Sequence, residues 1–288
     1  MPNCKMLSSG VHVVPEVYFF LELTGISIDK INRNLEELAK QIYDYWFIQF
    51  DFPNEDGKPY KSSGGKMVWN ELLKREIPEG WEVKPLKNLL SCEISGDWGE
   101  DIIKGNHKYK VHCIRGCDMS DMSCLPERYI FPSNMGKQLK ENDFVIEISG
   151  GSPTQSTGRI VQVTKEILNR FDNRIICSNF CHGIRLANTS FVSFFLKLWN
   201  IFYENRIFFN FEGKTSGLKN FQFDIFINQQ WYFPSEKLAK QYNEFVSKLK
   251  KQIDKNESEI QQLTSLRNTL LPLLMNGQVT LNSCLSHD

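Results

Sequence analysis

Residues 26–50, "ISIDKINRNLEELAKQIYDYWFIQF", carry apolar side chains at alternating intervals of three and four residues. This row consists of Ile28, Ile31, Leu35, Leu38, Ile42 and Tyr45. A stripe this narrow, with polar residues on both sides, is typical of a coiled-coil seam. The stretch is therefore predicted to be a helix that packs lengthwise against another helix.

A second helix is predicted over residues 235–277, "SEKLAKQYNEFVSKLKKQIDKNESEIQQLTSLRNTLLPLLMNG". Ser235 suits an N-cap, Pro272 is expected to kink or end the helix, and Gly277 fits beyond its end. Its seam comprises Leu238, Tyr242, Phe245, Leu249, Ile253, Asn256, Ile260, Leu263 and Leu270. The two helices are expected to pair antiparallel or to bind another chain. The alternative is that each packs on the domain between them.

The sequence between the two helices differs from them in its composition and in its pattern of apolar residues. Residues 51–83 are rich in Pro, Gly, Lys and Ser, which is typical of a bridge. Short apolar runs separated by turn residues then predict strands, namely "KYKVHCI", "FVIEIS", "GRIVQVT", "GIRLA" and "FDIFI". The first half of 190–211 is predicted to be a buried helix. The fold class is therefore α+β, with one mixed α/β domain flanked by two long helices.

These patterns divide the chain into six predicted segments. They are an N-terminal segment (1–25), a helix (26–50), a bridge (51–83), a mixed domain (84–234), a distal helix (235–277) and a tail (278–288).

The amino-acid composition limits the class of protein to which the chain can belong. The 288 residues carry a formal net charge of +0, which argues against a strongly basic nucleic-acid binder but leaves room for a local basic patch. Apolar residues make up 41% of the chain, which is enough for a core. The sequence has no run of about 18 apolar residues and no secretory signal pattern, so a cytoplasmic protein is expected.

Eight cysteines in a chain of this length are expected to be reduced thiols. Cys113, Cys117, Cys177 and Cys181 lie in two C-x-x-x-C pairs, each beside a histidine, and a zinc site is one interpretation. The competing interpretation is that these cysteines are small buried hydrophobic residues, and the sequence favours it because both stretches look strand-like or looped.

The sequence contains no complete enzyme signature motif. "EGKTSG" contains G-K-T, but Phe208 stands where a P-loop needs glycine. The sequence contains neither G-x-G-x-x-G nor G-x-S-x-G nor H-E-x-x-H. Asp143 and Glu147 lack the lysine that a nuclease centre would place two residues later. We therefore expect no catalytic residue, no cofactor and no metal.

Polar, glycine-rich stretches remain as candidate binding surfaces. They are "SGGSPTQSTGR" (149–159), "FEGKTSGLKN" (211–220) and the aromatic-containing "EISGDWGED" (93–101). Glycines let the backbone approach a ligand closely, and Ser, Thr, Gln, Asn, Lys and Arg reach phosphates and base edges. The alternative for each stretch is a plain surface turn.

The chain resembles the specificity (S) subunits of type I restriction–modification enzymes. The resemblance is carried by residues 31–86, "INRNLEELAKQIYDYWFIQFDFPNEDGKPYKSSGGKMVWNELLKREIPEGWEVKPL", which are similar to that family's central conserved region. Residues 141–159 and 211–235 resemble motifs of a target-recognition domain, and "LRNTLLPLLMNGQVTL" (266–281) resembles the end of the distal conserved helix. The likeness covers nearly all of 26–281.

The resemblance implies a subunit that performs no chemistry. It implies recognition of double-stranded DNA at a bipartite site, on behalf of methyltransferase (M) subunits and, through them, restriction (R) subunits. Among the loop residues, we expect Arg159, Lys214 and Lys219 to contact phosphates. We expect base-edge or positioning contacts from Thr154, Gln155, Ser216 and Asn220. The full set of residues expected to bind DNA is Trp98, Ser149, Gly150, Gly151, Ser152, Thr154, Gln155, Arg159, Lys214, Thr215, Ser216, Lys219 and Asn220.

The chain departs from the family pattern in having one recognition domain where two are usual. Residues 1–25 are too short for another domain and are expected to be a remnant or an altered start. The chain thus resembles a half-subunit or the distal half of a full subunit. We therefore expect a homodimer or pairing with another half-subunit. A different class of function stays open, namely a coiled-coil interaction module whose central domain binds protein or RNA, and so does an enzyme with an unrecognised site.

Overall fold

The computed structural model of the chain describes residues 10–150, 154–215 and 218–276. The chain folds as two compact units, one made of 1–42 with 245–288 and the other of 43–244.

The first unit is an antiparallel helix pair. Helix α1 (Gly10–Tyr43) begins well before the predicted start at residue 26, and the long distal helix, labelled α5 because three short helices intervene, is Glu236–Met275. Asn32 of α1 bonds to Asn256 of α5, whereas Ile26, earlier in α1, shares a groove with Leu263, later in α5. The contacts therefore run in opposite directions along the two helices, which confirms the antiparallel pairing.

The buried face of α1 differs by one position from the predicted seam. Ile28 is buried as expected, but Ile31 and Leu38 are 50% and 38% exposed, and Asn32 is buried in place of Ile31. The Nδ2 of Asn256 donates to the Oδ1 of Asn32 at 2.6 Å, so the facing amide selects Asn32. An apolar row that includes Ile31 and Leu38 is left on the outside of α1.

The distal helix follows its predicted seam and its predicted start. The backbone N–H of Leu238 donates to the Ser235 hydroxyl at 3.3 Å, which makes Ser235 the N-cap. Pro272 lies inside α5, which continues to Met275, while Gly277 lies outside the described residues.

Among its described residues, the second unit contains fourteen strands and short helices. After α1 comes a π-helical segment, Asp44–Ile48. The strands, in chain order, are β1 (Met67–Asn70), β2 (Arg75–Pro78), β3 (Glu82–Pro85), β4 (Leu90–Ser95), β5 (Tyr109–Ile114), β6 (Glu127–Ile130), β7 (Phe144–Glu147), β8 (Ser149–Gly150), β9 (Ile160–Gln162), β10 (Ile175–Cys177), β11 (Cys181–Leu186), β12 (Glu212–Thr215), β13 (Leu218–Phe221) and β14 (Gln230–Phe233). The α-helices are α2 (Lys165–Arg170), α3 (Val192–Glu204) and α4 (Phe223–Ile227). Five 3₁₀ segments complete it: Leu86–Leu89, Gly116–Ser120, Pro132–Lys137, Thr189–Phe191 and Ile207–Phe211.

The strands form five small sheets. Their orders are β1-β2, β10-β5-β6, β4-β11-β7-β9, β12-β13-β8 and β14-β3. Strand β7 lies inside the largest sheet and is buried on both faces: Val145 joins one apolar cluster, while the Phe144 ring lies 5.4 Å from that of Phe195 on α3. A continuous apolar run, rather than an alternating one, is what such a two-sided position requires.

One predicted strand is a helix. "FDIFI" forms α4, in which Phe223, Phe226 and Ile227 are buried. Their spacing of three and four residues matches a helix face, and a five-residue apolar run cannot by itself distinguish a strand from a helix. The Phe226 ring packs edge-on against the Trp199 ring, with 5.2 Å between the ring centroids, within a buried aromatic core.

The predicted bridge, 51–83, contains regular structure. The hairpin β1–β2 and strand β3 lie within or across it. Ile77 of this stretch is buried together with Phe50 and Tyr232. The Tyr232 hydroxyl donates to the Phe47 carbonyl at 2.9 Å, which ties β14 to the end of the π-helical segment.

The four cysteines considered for a zinc site have different environments. Cys113, Cys177 and Cys181 are buried among apolar side chains, whereas Cys117 is exposed. Burial raises the pKa of Cys113 to about 12 and that of Cys181 to about 11, so both remain protonated thiols rather than metal-binding thiolates. Over 10–150, 154–215 and 218–276, no cluster of three or more candidate metal ligands occurs.

Candidate DNA-binding site

The two glycine-rich loops are neighbours in space. Strand β8 pairs antiparallel with β13, which places Ser149 opposite Asn220 and Gly150 opposite Lys219. Strand β13 also pairs with β12, so the order of the sheet is β12-β13-β8. Stretches separated by about sixty residues in the sequence therefore form one continuous surface.

The far end of the first loop is held by the aromatic core. Gly158 has φ +93°, and a Cβ there would lie 2.7 Å from the Phe208 ring, so the position requires glycine. The indole N–H of Trp199, which is 1% exposed, donates to the Gly158 carbonyl at 2.7 Å. The loop thus leaves and re-enters the domain at fixed points.

A carboxylate links the first loop to the second. The Oε1 of Glu212, at the start of β12, accepts from the backbone N–H of Thr157 at 2.7 Å and from its hydroxyl at 3.1 Å. The Lys219 ammonium lies 3.2 Å from the other oxygen of Glu212 and 3.2 Å from the Gln155 carbonyl. Lys219 therefore holds the loops together, and its side chain is 14% exposed.

Arg159 also has a partner inside the protein. Its guanidinium donates to both carboxylate oxygens of Glu147, each at 2.8 Å. Hydrogen bonding to Glu147 raises the pKa of Arg159 above its usual value, although burial opposes this. The Glu147 side chain is only 10% exposed, so this pair positions the strand that leads into the loop.

The remaining predicted residues are distributed unevenly. Thr154 and Gln155 are exposed on the loop, and Trp98 lies beneath the Arg128 guanidinium at 3.8 Å, packed against an apolar cluster. Lys214 and Thr215 lie on β12, but the placement of their side chains is not described. Gly151, Ser152 and Ser216 lie outside the described residues.

A third segment at this surface was missed by sequence reasoning. The backbone N–H groups of Ile148 and Ser149 both donate to the Phe180 carbonyl, at 2.9 and 3.2 Å. The turn that carries Phe180 therefore lies within hydrogen-bonding distance of the start of β8. The signal for this turn in the sequence is the adjacent polar and aromatic pair, Asn179 and Phe180, between the two cysteines of "CSNFC".

No helix among the described residues combines the length and the apolar character that crossing a membrane requires.

Comparison with known proteins gives one sequence relative and solved structures of the same fold. No family model matches the chain. The type I restriction enzyme MjaIX specificity subunit of Methanocaldococcus jannaschii is 24% identical over 260 residues, which cover 87% of this chain and 54% of that protein. The crystal structure of the type I restriction–modification S subunit from M. genitalium matches with a TM-score of 0.55 at 13% identity, over 93% of this chain and 61% of that chain.

The sequence match extends over 87% of this chain and the fold match over 93%, so both reach beyond the 43–244 unit alone. The chain spans about half the length of this sequence relative. This chain is therefore similar in sequence to a type I restriction enzyme specificity subunit and shares its fold with a type I S subunit.

Proposed function

We propose that this chain recognises a specific sequence in double-stranded DNA as the specificity subunit of a type I restriction–modification complex. It performs no chemistry itself; it directs methyltransferase and restriction subunits, in the cytoplasm, to a bipartite site. The observation that carries this proposal is the convergence of the two glycine-rich loops on the sheet β12-β13-β8.

The chemistry of this surface suits a duplex. Exposed Thr154 and Gln155 present hydroxyl and amide groups, which contact base edges and phosphates. Glycines leave the backbone amides accessible to phosphate oxygens. The formal net charge of the chain is +0, so attraction to DNA has to come from a local arrangement and not from the whole molecule.

The internal ion pairs refine the roles of the basic residues. Arg159 and Lys219 are neutralised by Glu147 and Glu212, so their first role is to position the loops. Lys214, on β12 next to the second loop, is therefore the strongest candidate for a phosphate contact. Asn220, opposite Ser149 in the sheet, remains a candidate for base contact or positioning.

The helix pair is the proposed attachment site for methyltransferase subunits. The inner face of α1 packs on α5, and the exposed Ile31 and Leu38 form an apolar row on its outer face. Exposed apolar rows of this kind are typical of protein–protein contacts.

A gel-shift titration tests the proposal, with random-sequence duplex and duplex selected for binding, and with and without the methyltransferase subunit. Tight binding with the subunit and weak binding without it would support the proposal. Lys214→Ala is expected to weaken binding to all sequences and to lower the salt slope of log K by about one. Lys74→Ala, in the turn that joins β1 to β2, is the matched control and should leave the slope unchanged. Equal binding of RNA and DNA would favour an RNA-binding interaction module instead.

A further inference from the structure

The turn at residues 178–181 joins β10 to β11 and carries two exposed side chains between two buried ones. Ser178 is 0% and Cys181 is 1% exposed, whereas Phe180 is 53% exposed and Asn179 is exposed as well. A phenylalanine ring that is half exposed at the tip of a turn contributes little to the core. The exposed part of the ring is therefore accessible to a ligand.

The turn is rigid. The Cys181 N–H donates to the Ser178 carbonyl at 2.9 Å, which closes a four-residue β-turn. The Ser178 N–H donates to the Ile114 carbonyl at 2.9 Å. Gly96 packs directly on the Ser178 carbonyl, where a Cβ would clash with backbone. Asn179 and Phe180 are thus displayed on a fixed backbone.

The turn also lies beside the candidate interface. Since Ile148 and Ser149 both donate to the Phe180 carbonyl, the turn is one strand spacing, about 5 Å, from β8. Across the described residues, the turn adjoins the start of β8, β8 pairs with β13, and β13 pairs with β12. Asn179 and Phe180 stand next to the start of the first glycine-rich loop.

We propose that this turn is a third DNA-contacting element, in which Asn179 and Phe180 read one A·T base pair in the major groove. The inference rests on the proposed function. An asparagine amide matches the N7 acceptor and N6 donor of adenine, and an aromatic ring makes apolar contact with the C5 methyl of thymine. Adjacent residues on one turn suit the two edges of a single pair.

In vitro selection from a randomised duplex library tests the assignment, with the full chain both alone and in the presence of the methyltransferase subunit. The variants are Asn179→Ala and Phe180→Ala. The matched control is Ile225→Ala, because Ile225 is also 53% exposed but lies on α4. Thermal melting of each variant checks that the fold is retained.

The wild type is expected to enrich a motif in which one A·T pair becomes degenerate in both turn variants. The affinity of each variant for the wild-type motif should fall by roughly 5- to 150-fold, which corresponds to one lost base contact. The control should retain motif and affinity. Unchanged selection by both turn variants would overturn the inference and leave the proposed function intact, and relaxation at a G·C pair would overturn the A·T assignment. A wild type that selects no motif would overturn the proposed function and the inference together.

Discussion

Glu147 lies at the end of β7, immediately before the first loop, with its side chain 10% exposed. Arg159 neutralises it with two parallel hydrogen bonds across the loop. A carboxylate this buried needs its partner, because an unpaired buried charge is costly. The Glu147–Arg159 ion pair fixes the ends of the loop. The hydrogen bond from the Trp199 indole N–H to the Gly158 carbonyl also holds the loop at its far end.

Arg159→Ala is expected to lower the free energy of unfolding by about 1–3 kcal/mol, since it leaves Glu147 buried and unpaired. Urea denaturation measures this. Glu147→Gln combined with Arg159→Met should recover part of the loss, because neither residue then carries a charge. A variant Arg159→Ala that keeps full stability but lowers the salt slope of DNA binding would instead make Arg159 a phosphate contact.

Asp51 gives the fold a defined response to acid. Hydrogen bonds from the Ser62 hydroxyl at 2.6 Å and from its backbone N–H at 2.7 Å hold the pKa of Asp51 below its usual value. A carboxyl whose pKa is depressed in the folded state stabilises the protein above its unfolded pKa of about 4. That contribution is lost as the pH falls through the lower, folded pKa.

Ser62→Ala should therefore destabilise the protein at pH 7 and progressively less as the pH falls below about 4. Urea midpoints of the wild type and the variant, measured from pH 7 to pH 3, should converge at the acid end. A constant difference between the midpoints would show that the Ser62–Asp51 bonds do not depend on ionised Asp51.

Among the elements, the helix pair carries a buried polar contact in its interface. Asn32 and Asn256 are each 7% exposed and bond to one another, and Gln252 also donates to Asn256 at 2.8 Å. A buried asparagine pair in a coiled coil selects one register at a cost in stability. The pairing of α1 with α5 is therefore specified by polar matching as well as by apolar burial.

Asn256→Leu alone should lower stability by about 1–3 kcal/mol, because the Asn32 amide is left buried without its partner. The double variant Asn32→Leu with Asn256→Leu should regain or exceed wild-type stability and lose the single register. Thermal melting gives the stabilities, and size-exclusion chromatography shows additional assembly states. Asn34→Leu, at an exposed position of α1, is the control. A double variant that remains uniquely assembled would argue against register control.

The helices and strands also show which structural features can be predicted from the sequence and which cannot. Heptad spacing is local, so the α5 seam and the Ser235 cap were predictable. Strands β7, β9 and β11 of the largest sheet were predicted from their apolar runs, whereas β4 was not. The displacement of the α1 seam from Ile31 to Asn32 was not predictable, because the facing amide of Asn256 decides it. The helical state of α4 was missed because the aromatic core around Trp199, not the local pattern, sets it.

The site was predictable in part for the same reason. The composition of each glycine-rich loop is visible in the sequence, but the pairing of β8 with β13 is a long-range contact. The Arg159–Glu147 pair belongs to the β7–β9 pairing, and the Lys219–Glu212 pair belongs to the β12–β13 pairing. The turn at 178–181 was missed because exposure of Asn179 and Phe180 depends on the burial of both their neighbours.

At the scale of the whole molecule, the proposed function assigns the one domain of this chain to one half of a bipartite site. Helix α5 has 40 residues, so its ends lie about 60 Å apart, further than the 34 Å of one DNA turn. Two copies of this chain, related by a two-fold axis through contacts between their helices, would supply two identical reading surfaces. The proposed target is then an interrupted inverted repeat with identical halves.

Light scattering at micromolar concentration is expected to show a dimer of the purified chain. Methylome sequencing should assign it a motif whose two halves are inverted copies. A strict monomer would remove the homodimer. An asymmetric bipartite motif would indicate pairing with a different half-subunit.

The alternation of buried and exposed residues in the turn at 178–181 has an evolutionary consequence. Ser178 and Cys181 are held by packing, so most substitutions there reduce stability, whereas substitutions at exposed positions usually change it by less than about 0.5 kcal/mol. Under the proposed reading, mutation at 179 and 180 alters which DNA is chosen without endangering the fold. Such a lineage can drift to new targets while its scaffold stays under purifying selection.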